Sequence, residues 1–170
     1  MLRSEFDTSG IVEIPRLGVS IPFVVAPDQN TRIDLASYRS QLVTDHGHDS
    51  EGGNNGVRVT SDQPVTVYAF NHTNASLDAT AVLPTSNLGD DYILVSHGDG
   101  DTLYGSGQFG VVAVEENTQV TYTFPEDTKI FGHDLQFSAG ESYTLNLDKG
   151  QTHGFTVLDL HGGSGLELSL

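Results

Sequence analysis

Residues 56–94 read GVRVTSDQPVTVYAFNHTNASLDATAVLPTSNLGDDYIL and contain the most informative pattern of apolar and turn residues in the chain. Its β-branched and aromatic residues fall in short runs at 57–59 and 65–68, and Ser61-Asp62-Gln63-Pro64 between them favours a turn. A further run at 92–95 follows a Gly-Asp-Asp break. The pattern predicts strand, turn and strand, which is the layout of an antiparallel β protein.

The same stretch resembles a known family. Residues 59–67, VTSDQPVTV, match a V-x-S-D-x-P-V-x-V phrase, and residues 82–96, VLPTSNLGDDYILVS, contain an L-P-x-x-x-L-G-x-x-Y phrase followed by a strand. Both phrases are similar to the domain at the N-terminus of the IgG Fc-binding protein of mucus, which also occurs in many bacterial surface proteins. The resemblance extends from about Gly10 to the end of the chain and implies a surface-exposed or secreted protein whose ligand varies. Because the phrases consist of strand and turn residues, they indicate the fold and no chemistry.

Composition narrows the functional classes. Seven basic residues stand against 23 acidic ones, so the net charge of −16 repels phosphate backbones and argues against nucleic-acid binding. The absence of cysteine excludes disulfides, thiolate zinc sites and cysteine nucleophiles. No apolar run reaches the roughly 18 to 20 residues of a membrane span, so no membrane insertion is expected. A signal peptide, if the protein is exported, lies outside this chain.

Period-two alternation organises the chain in order. We predict that residues 1–9 are a disordered or vector-derived lead-in and that 10–170 form one all-β, antiparallel β-sandwich domain. Strands are expected near 12–14, 19–25, 31–35, 110–114, 120–124, 135–137, 143–147 and 155–158, in addition to those of the opening stretch. The segments 36–42 and 85–89 are the expected places for a helical turn.

An internal repeat is also predicted. Residues 12–15 match 122–125, residues 31–35 match 143–147, and residues 56–60 match 165–169, with the order kept and an offset near 110. This favours two similar β-rich halves, 10–95 and 108–170, related by duplication. The alternative is that short strand sequences with the same alternation match by chance.

Three polar segments supply the candidate binding residues, because long loops on a rigid sandwich are common binding sites. The segments are DHGHDSEGGNN at 45–55, the stretch from Asn71 to Asp78, and HGDGDTLYGSG at 97–107. The residues that we expect to contact a ligand are Asp45, His46, His48, Asp49, Asn71, His72 and Asn74.

Two of these segments also contain metal-ligand types. His46 and His48 lie two residues apart, so on an extended strand both imidazoles could reach one zinc, nickel or copper ion. Asp99 and Asp101 resemble one turn of a calcium-binding β-roll, although such repeats work only when stacked. A solvated loop and a plain glycine-rich hairpin are the favoured alternatives, so no cofactor is expected unless one of these sites holds a metal.

The sequence supports three functional hypotheses. The first is a non-catalytic recognition or adhesion module, extracellular or on the cell surface, that binds a host or cell-surface protein or glycan through its polar loops. The second is a metal-dependent hydrolase that uses the His46 and His48 segment, and the third is a structural spacer. An edge strand left unpaired at the C-terminal end would allow homodimerisation by strand addition.

Overall fold

A computed structural model of the protein describes residues 1–42, 53–72, 77–95, 107–130, 134–158 and 165–169. Strands are the predominant regular structure of the described chain, which confirms the predicted all-β class. It divides into two compact units, of which unit 1 is Met1–Ser40 with Val57–Leu88 and unit 2 is Gln41–Gly56 with Gly89–Leu170. No helix in the described part has the length and hydropathy of a membrane span.

Unit 1 contains two antiparallel sheets, ordered β4-β1-β6-β7 and β3-β2-β5. Alternating apolar residues of both sheets, among them Leu2, Val12, Phe23, Val25 and Val67, pack together as its core, which makes it a small sandwich. The strands are β1 (Leu2–Arg3), β2 (Thr8–Ile14), β3 (Val19–Val25), β4 (Asn30–Thr31), β5 (Arg58–Ser61), β6 (Thr66–His72) and β7 (Leu77–Val82).

Unit 2 also contains two antiparallel sheets, ordered β13-β10-β15-β8 and β12-β11-β14-β9. Its core is richer in aromatic rings: Phe124 stacks on Phe137 at 4.2 Å between ring centroids, and Tyr122 meets Phe155 edge-on at 4.9 Å. The strands are β8 (Asp91–Val95), β9 (Gly107–Val112), β10 (Thr118–Thr123), β11 (Thr128–Ile130), β12 (Gln136–Phe137), β13 (Ser142–Leu147), β14 (Thr152–Leu158) and β15 (Gly165–Ser169).

Helical structure in the described part of the chain is confined to short turns. The helix α1 spans Arg39–Leu42, directly after a 3-10 turn at Ala36–Tyr38, and further 3-10 turns lie at Pro15–Leu17 and Thr85–Asn87. The turns near 36–42 and 85–89 are therefore confirmed.

The N-terminal residues belong to the fold, so the predicted lead-in at 1–9 is corrected. Leu2 is only 2% exposed, and β1 pairs on one side with β4 and on the other with β6. The Tyr68 N–H donates to Met1 O at 2.9 Å, and the N-terminal amine donates to Tyr68 O at 2.7 Å. A two-residue strand shows no measurable alternation, which is why its sequence gives no strand signal.

The predicted strand at 31–35 is shorter than expected, because β4 ends at Thr31. The Asp34 Oδ1 atom accepts the Ala36 N–H at 2.9 Å and begins the following 3-10 turn. Ile33 and Leu35 nevertheless pack against the core of unit 1. The alternation of apolar residues at 31–35 therefore arises because a loop packs its apolar side chains on the core, and not because these residues form a strand.

Strand registers give one comparison between the units that bears on the predicted repeat. In unit 1 β2 pairs with β5 as Ile11 with Thr60, Val12 with Val59, and Glu13 with Arg58. In unit 2 β10 pairs with β15 as Thr121 with Ser169, Tyr122 with Leu168, and Thr123 with Glu167. The sequence alignment, which begins at residue 12, superimposes the last two of these pairs on their counterparts. The match of residues 31–35 with 143–147 has no such counterpart in the sheets. Residues 143–147 lie in β13, which pairs with β10, but the corresponding partner of β2 is β3, and residues 31–35 do not pair with β2. The duplication stays a prediction.

The C-terminal strand β15 lies inside its sheet, with β10 on one side and β8 on the other. An unpaired edge strand was expected at the C-terminal end of the chain, but β15 is paired on both sides. The outer strands of the four sheets are β4, β7, β3, β5, β12, β9, β13 and β8.

Candidate binding surface

Asn71 and His72 form the end of β6, so they belong to a strand and not to the loop predicted from Asn71 to Asp78. Asn71 pairs with Asp78 and His72 with Leu77 in a regular six-pair ladder between β6 and β7. Both side chains are exposed. The ladder leaves residues 73–76 as the connection between the two strands. This connection includes Asn74 and lies outside the described residues.

An exposed apolar platform covers one face of this β6–β7 hairpin. Residues two apart on a strand share a face, so Tyr68, Phe70 and His72 lie on one side of β6, and directly paired residues share it too. Across from them on β7 lie Ala81, Ala79 and Leu77, in that order. Phe70 is 52% exposed, Tyr68 37% and Leu77 63%. The alanines leave the aromatic rings accessible, and we call these six residues the hairpin platform.

The platform was missed by sequence reasoning although a signal for it exists. Tyr68, Phe70 and His72 alternate with Ala69 and Asn71, which is strand periodicity with the large groups on a single face. Such alternation ordinarily indicates a core face, but the core-facing residue of β6 is Val67. Periodicity identifies a face and does not say whether another layer covers it.

The remaining predicted site residues lie outside the described residues. These are Asp45, His46, His48, Asp49, Asp99 and Asp101, together with Asn74. Among the described residues, no group of three or more His, Asp or Glu side chains is placed to hold a metal ion. The zinc and calcium hypotheses therefore stay predictions.

The polar segment that carries His46 and His48 is anchored where it re-enters the described chain. Gly53 forms an isolated bridge with Thr152, whose hydroxyl donates to Gly53 O at 3.0 Å. Three residues later the Gly56 N–H donates to Gly150 O at 3.2 Å. A Cβ on Gly56 would lie 2.7 Å from that carbonyl oxygen, so only glycine fits. We call residues 53–56 the strap, because they bind this segment to the strands of unit 2.

The described histidine with the least exposure is structural in its setting. His153 on β14 is 2% exposed, and its Nδ1 lies 3.0 Å from the Tyr122 hydroxyl. The imidazole stacks on Tyr143 and meets Phe155 edge-on. Burial raises the pKa of the Tyr122 phenol above its ordinary value of 10.0, and the neighbouring Tyr143 adds to this shift. A neutral hydroxyl enclosed by rings has no access to a substrate, so this pair stabilises the core of unit 2.

Charge is divided unequally between the units. Unit 1 has seven acidic and five basic residues and a net charge of −2, whereas unit 2 has sixteen acidic residues against Lys129 and Lys149 and a net charge of −14. Ion pairs in unit 1 join Arg3 to Asp28 and Arg32 to Asp34. The hairpin platform therefore lies on the nearly neutral unit.

Comparison with known proteins identifies the family. A model of the family described as IgGFc binding protein matches residues 78–167, which is just over half of the chain and runs from β7 into β15. No curated protein and no solved structure matched the chain. The matched segment includes the phrase at 82–96, whereas the phrase at 59–67 and the rest of the resemblance from Gly10 lie before it. The chain belongs to the IgG Fc-binding protein family.

Proposed function

We propose that the protein is a non-catalytic recognition module of a secreted or cell-surface protein, and that it binds a protein or glycan through its polar segments. The observation that carries this proposal is membership of the family described as IgGFc binding protein, which is a family of binding modules. Such proteins are typically extracellular or on the cell surface. The family description names IgG Fc as a ligand. The ligand of this chain is to be identified by experiment.

The fold supports recognition through segments held by rigid strands. The polar segment at 43–52 is followed directly by the strap, whose backbone is fixed by Thr152 and Gly150. The segment at 73–76 joins two strands with a six-pair ladder. Anchored ends reduce the conformational entropy that a binding segment loses on contact, which favours affinity.

The test is a binding screen of the full chain against immobilised IgG Fc, mucin and a glycan array. Once a ligand is found, one variant replaces residues 45–52 with an equally long Gly-Ser sequence, and a second combines Asn71→Ala, His72→Ala and Asn74→Ala. We expect at least one of them to weaken binding by about tenfold or more, equal to about 1.4 kcal/mol. The double variant Thr85→Ala and Ser86→Ala, in an exposed 3-10 turn, is the control.

Unchanged affinity in both variants would contradict recognition through these segments. Metal analysis of untagged protein, compared with a His46→Ala and His48→Ala double variant, separates the proposal from the metal-dependent hydrolase. A stoichiometric transition metal that is lost in the double variant would favour the hydrolase.

A further inference from the structure

We propose that two copies of this chain associate through β7, which pairs antiparallel with β7 of the second copy and joins two four-stranded sheets into one. The proposal concerns the assembly of the protein and is independent of the ligand considered above. It rests on three properties of β7, namely its free edge, its chemistry and the charge of its unit.

Among the strands that the structure describes, β7 is the outer strand of the sheet ordered β4-β1-β6-β7. Its ladder to β6 is regular over six consecutive pairs, so no bulge turns the outer edge away. One row of backbone N–H and C=O groups therefore faces outward and can accept another strand. All six residues are exposed, which leaves the approach open on both faces.

Most outer strands of this protein carry a feature that blocks such pairing. The strands β4 and β12 are two residues long, β3 contains Pro22, β5 begins with Arg58, and β9 contains Gly107 and Gly110. The strand β7, LDATAV, has six residues, no proline and no basic residue, with Asp78 as its single charge. The strands β8, DYILV, and β13, SYTLNL, are comparable in sequence, so charge has to decide among the three.

Electrostatics favours β7 over β8 and β13. Two copies that met through β8 or β13 would bring together units of charge −14. Asp90 precedes β8, and Glu141 and Asp148 flank β13. Contact through β7 brings together units of charge −2. Repulsion between like charges opposes association and weakens within about 10 Å at moderate ionic strength, so the nearly neutral unit is the favoured contact.

The sequence of β7 is self-complementary. A two-fold axis through Ala79 places Ala79 opposite its own copy and Asp78 opposite Thr80, whereas an axis through Thr80 places Asp78 opposite Val82. Both registers keep the two hairpin platforms on the same side, and neither brings the two Asp78 carboxylates together. Small residues at the axis allow close approach, and a closed two-fold interface limits assembly to a dimer.

The size of the contact sets the affinity to expect. Stable dimers bury about 800 Å² per partner, and a six-residue strand about 20 Å long with one row of side chains buries less. Phe70, Leu77 and Val82, which are 52%, 63% and 47% exposed, add apolar burial at the rim. We therefore expect dissociation constants in the micromolar to millimolar range, weakening at low salt because the two chains repel each other.

The absence of cysteine allows a direct test. Single variants Ala79→Cys, Thr80→Cys and Val24→Cys of the full chain are oxidised at about 100 µM in 0.3 M NaCl, and disulfide-linked dimer is measured on non-reducing gels. Directly opposed residues of antiparallel strands have Cα atoms about 4.5 to 5.5 Å apart, within disulfide range. We expect Ala79→Cys or Thr80→Cys to form several times more linked dimer than Val24→Cys, which is exposed on the outer strand β3.

Sedimentation velocity of the cysteine-free chain from 5 to 500 µM provides the second measurement. We expect a shift from monomer to dimer that Ala79→Glu weakens about tenfold or more and that Val24→Glu leaves unchanged, with circular dichroism confirming that both variants are folded. A monomer at every concentration, or equal crosslinking at all three positions, would overturn the proposal. A dimer that Ala79→Glu leaves intact would overturn it as well, and because no ligand is present, none of these results bears on the proposed recognition function.

Discussion

At the scale of single residues, Tyr122 makes a testable contribution to stability. Its pKa is raised in the folded protein, because burial disfavours the phenolate, and an unfolded chain ionises near the ordinary value of 10.0. The folded state then holds the proton more tightly, so the contribution of Tyr122 to stability is constant below about pH 10 and falls as the pH rises further. Denaturant unfolding between pH 7 and 11 should show this decline.

The matched variant for this measurement is Tyr122→Phe. It removes the titrating hydroxyl and its hydrogen bond to His153, so we expect a loss of about 1 to 3 kcal/mol at neutral pH and a shallower decline above pH 10. An equally steep decline in the variant would assign the alkaline sensitivity to other groups.

Gly10 is the second residue with a specific requirement. It faces Phe23 across the β2–β3 ladder, and a Cβ at this position would overlap both the Phe23 ring and Thr60 O. Because a backbone oxygen cannot move aside cheaply, we expect Gly10→Ala to cost about 1 to 3 kcal/mol in denaturant unfolding. Gly89→Ala, with no atom within 4 Å of the added Cβ, should change stability by less than about 1 kcal/mol.

At the scale of elements, the strap gives the clearest prediction. Gly56→Ala places a Cβ against Gly150 O and should break the hydrogen bond to that oxygen, while the strand pairing of β10 is untouched. We expect faster amide hydrogen exchange at residues 53–56 and at Thr152, with unchanged protection at β10. Thr152→Val, which loses the hydroxyl bond to Gly53 O, should reproduce part of this effect, and Thr152→Ser should not.

The elements also show how far the sequence leads. Strands with one covered face, such as β3, β10 and β13, were predictable because the covering core imposes period two. The strand β7 escaped prediction because both of its faces are exposed, so no burial pattern distinguishes it from a loop. Asn71 and His72 were assigned to a loop by their polarity, although backbone pairing with Asp78 and Leu77 places them in the hairpin. The histidine and aspartate segments stay predictions, since they lie outside the described residues.

At the scale of the whole molecule, the charge difference between the units predicts an unequal response to salt. Sixteen acidic residues and two lysines give unit 2 a self-repulsion that unit 1, at −2, does not have. Screening in about 0.5 M NaCl should therefore stabilise unit 2 more than unit 1. Hydrogen exchange resolved by peptide, comparing β10 and β14 with β2 and β6, measures this, and equal slowing in both units would contradict the prediction.

The strap has a further consequence for the order in which the protein is made. Residues 41–56 of unit 2 leave the ribosome between two parts of unit 1, before any of the strands β8 to β15 to which unit 2 owes its core. All residues of unit 1 have been synthesised once Leu88 is added. Residues 53–56 can form their hydrogen bonds only after Gly150 and Thr152 have been synthesised. The segment matched by the family, 78–167, excludes this early piece, so a fragment cut at the family boundaries would lack part of its own folding unit.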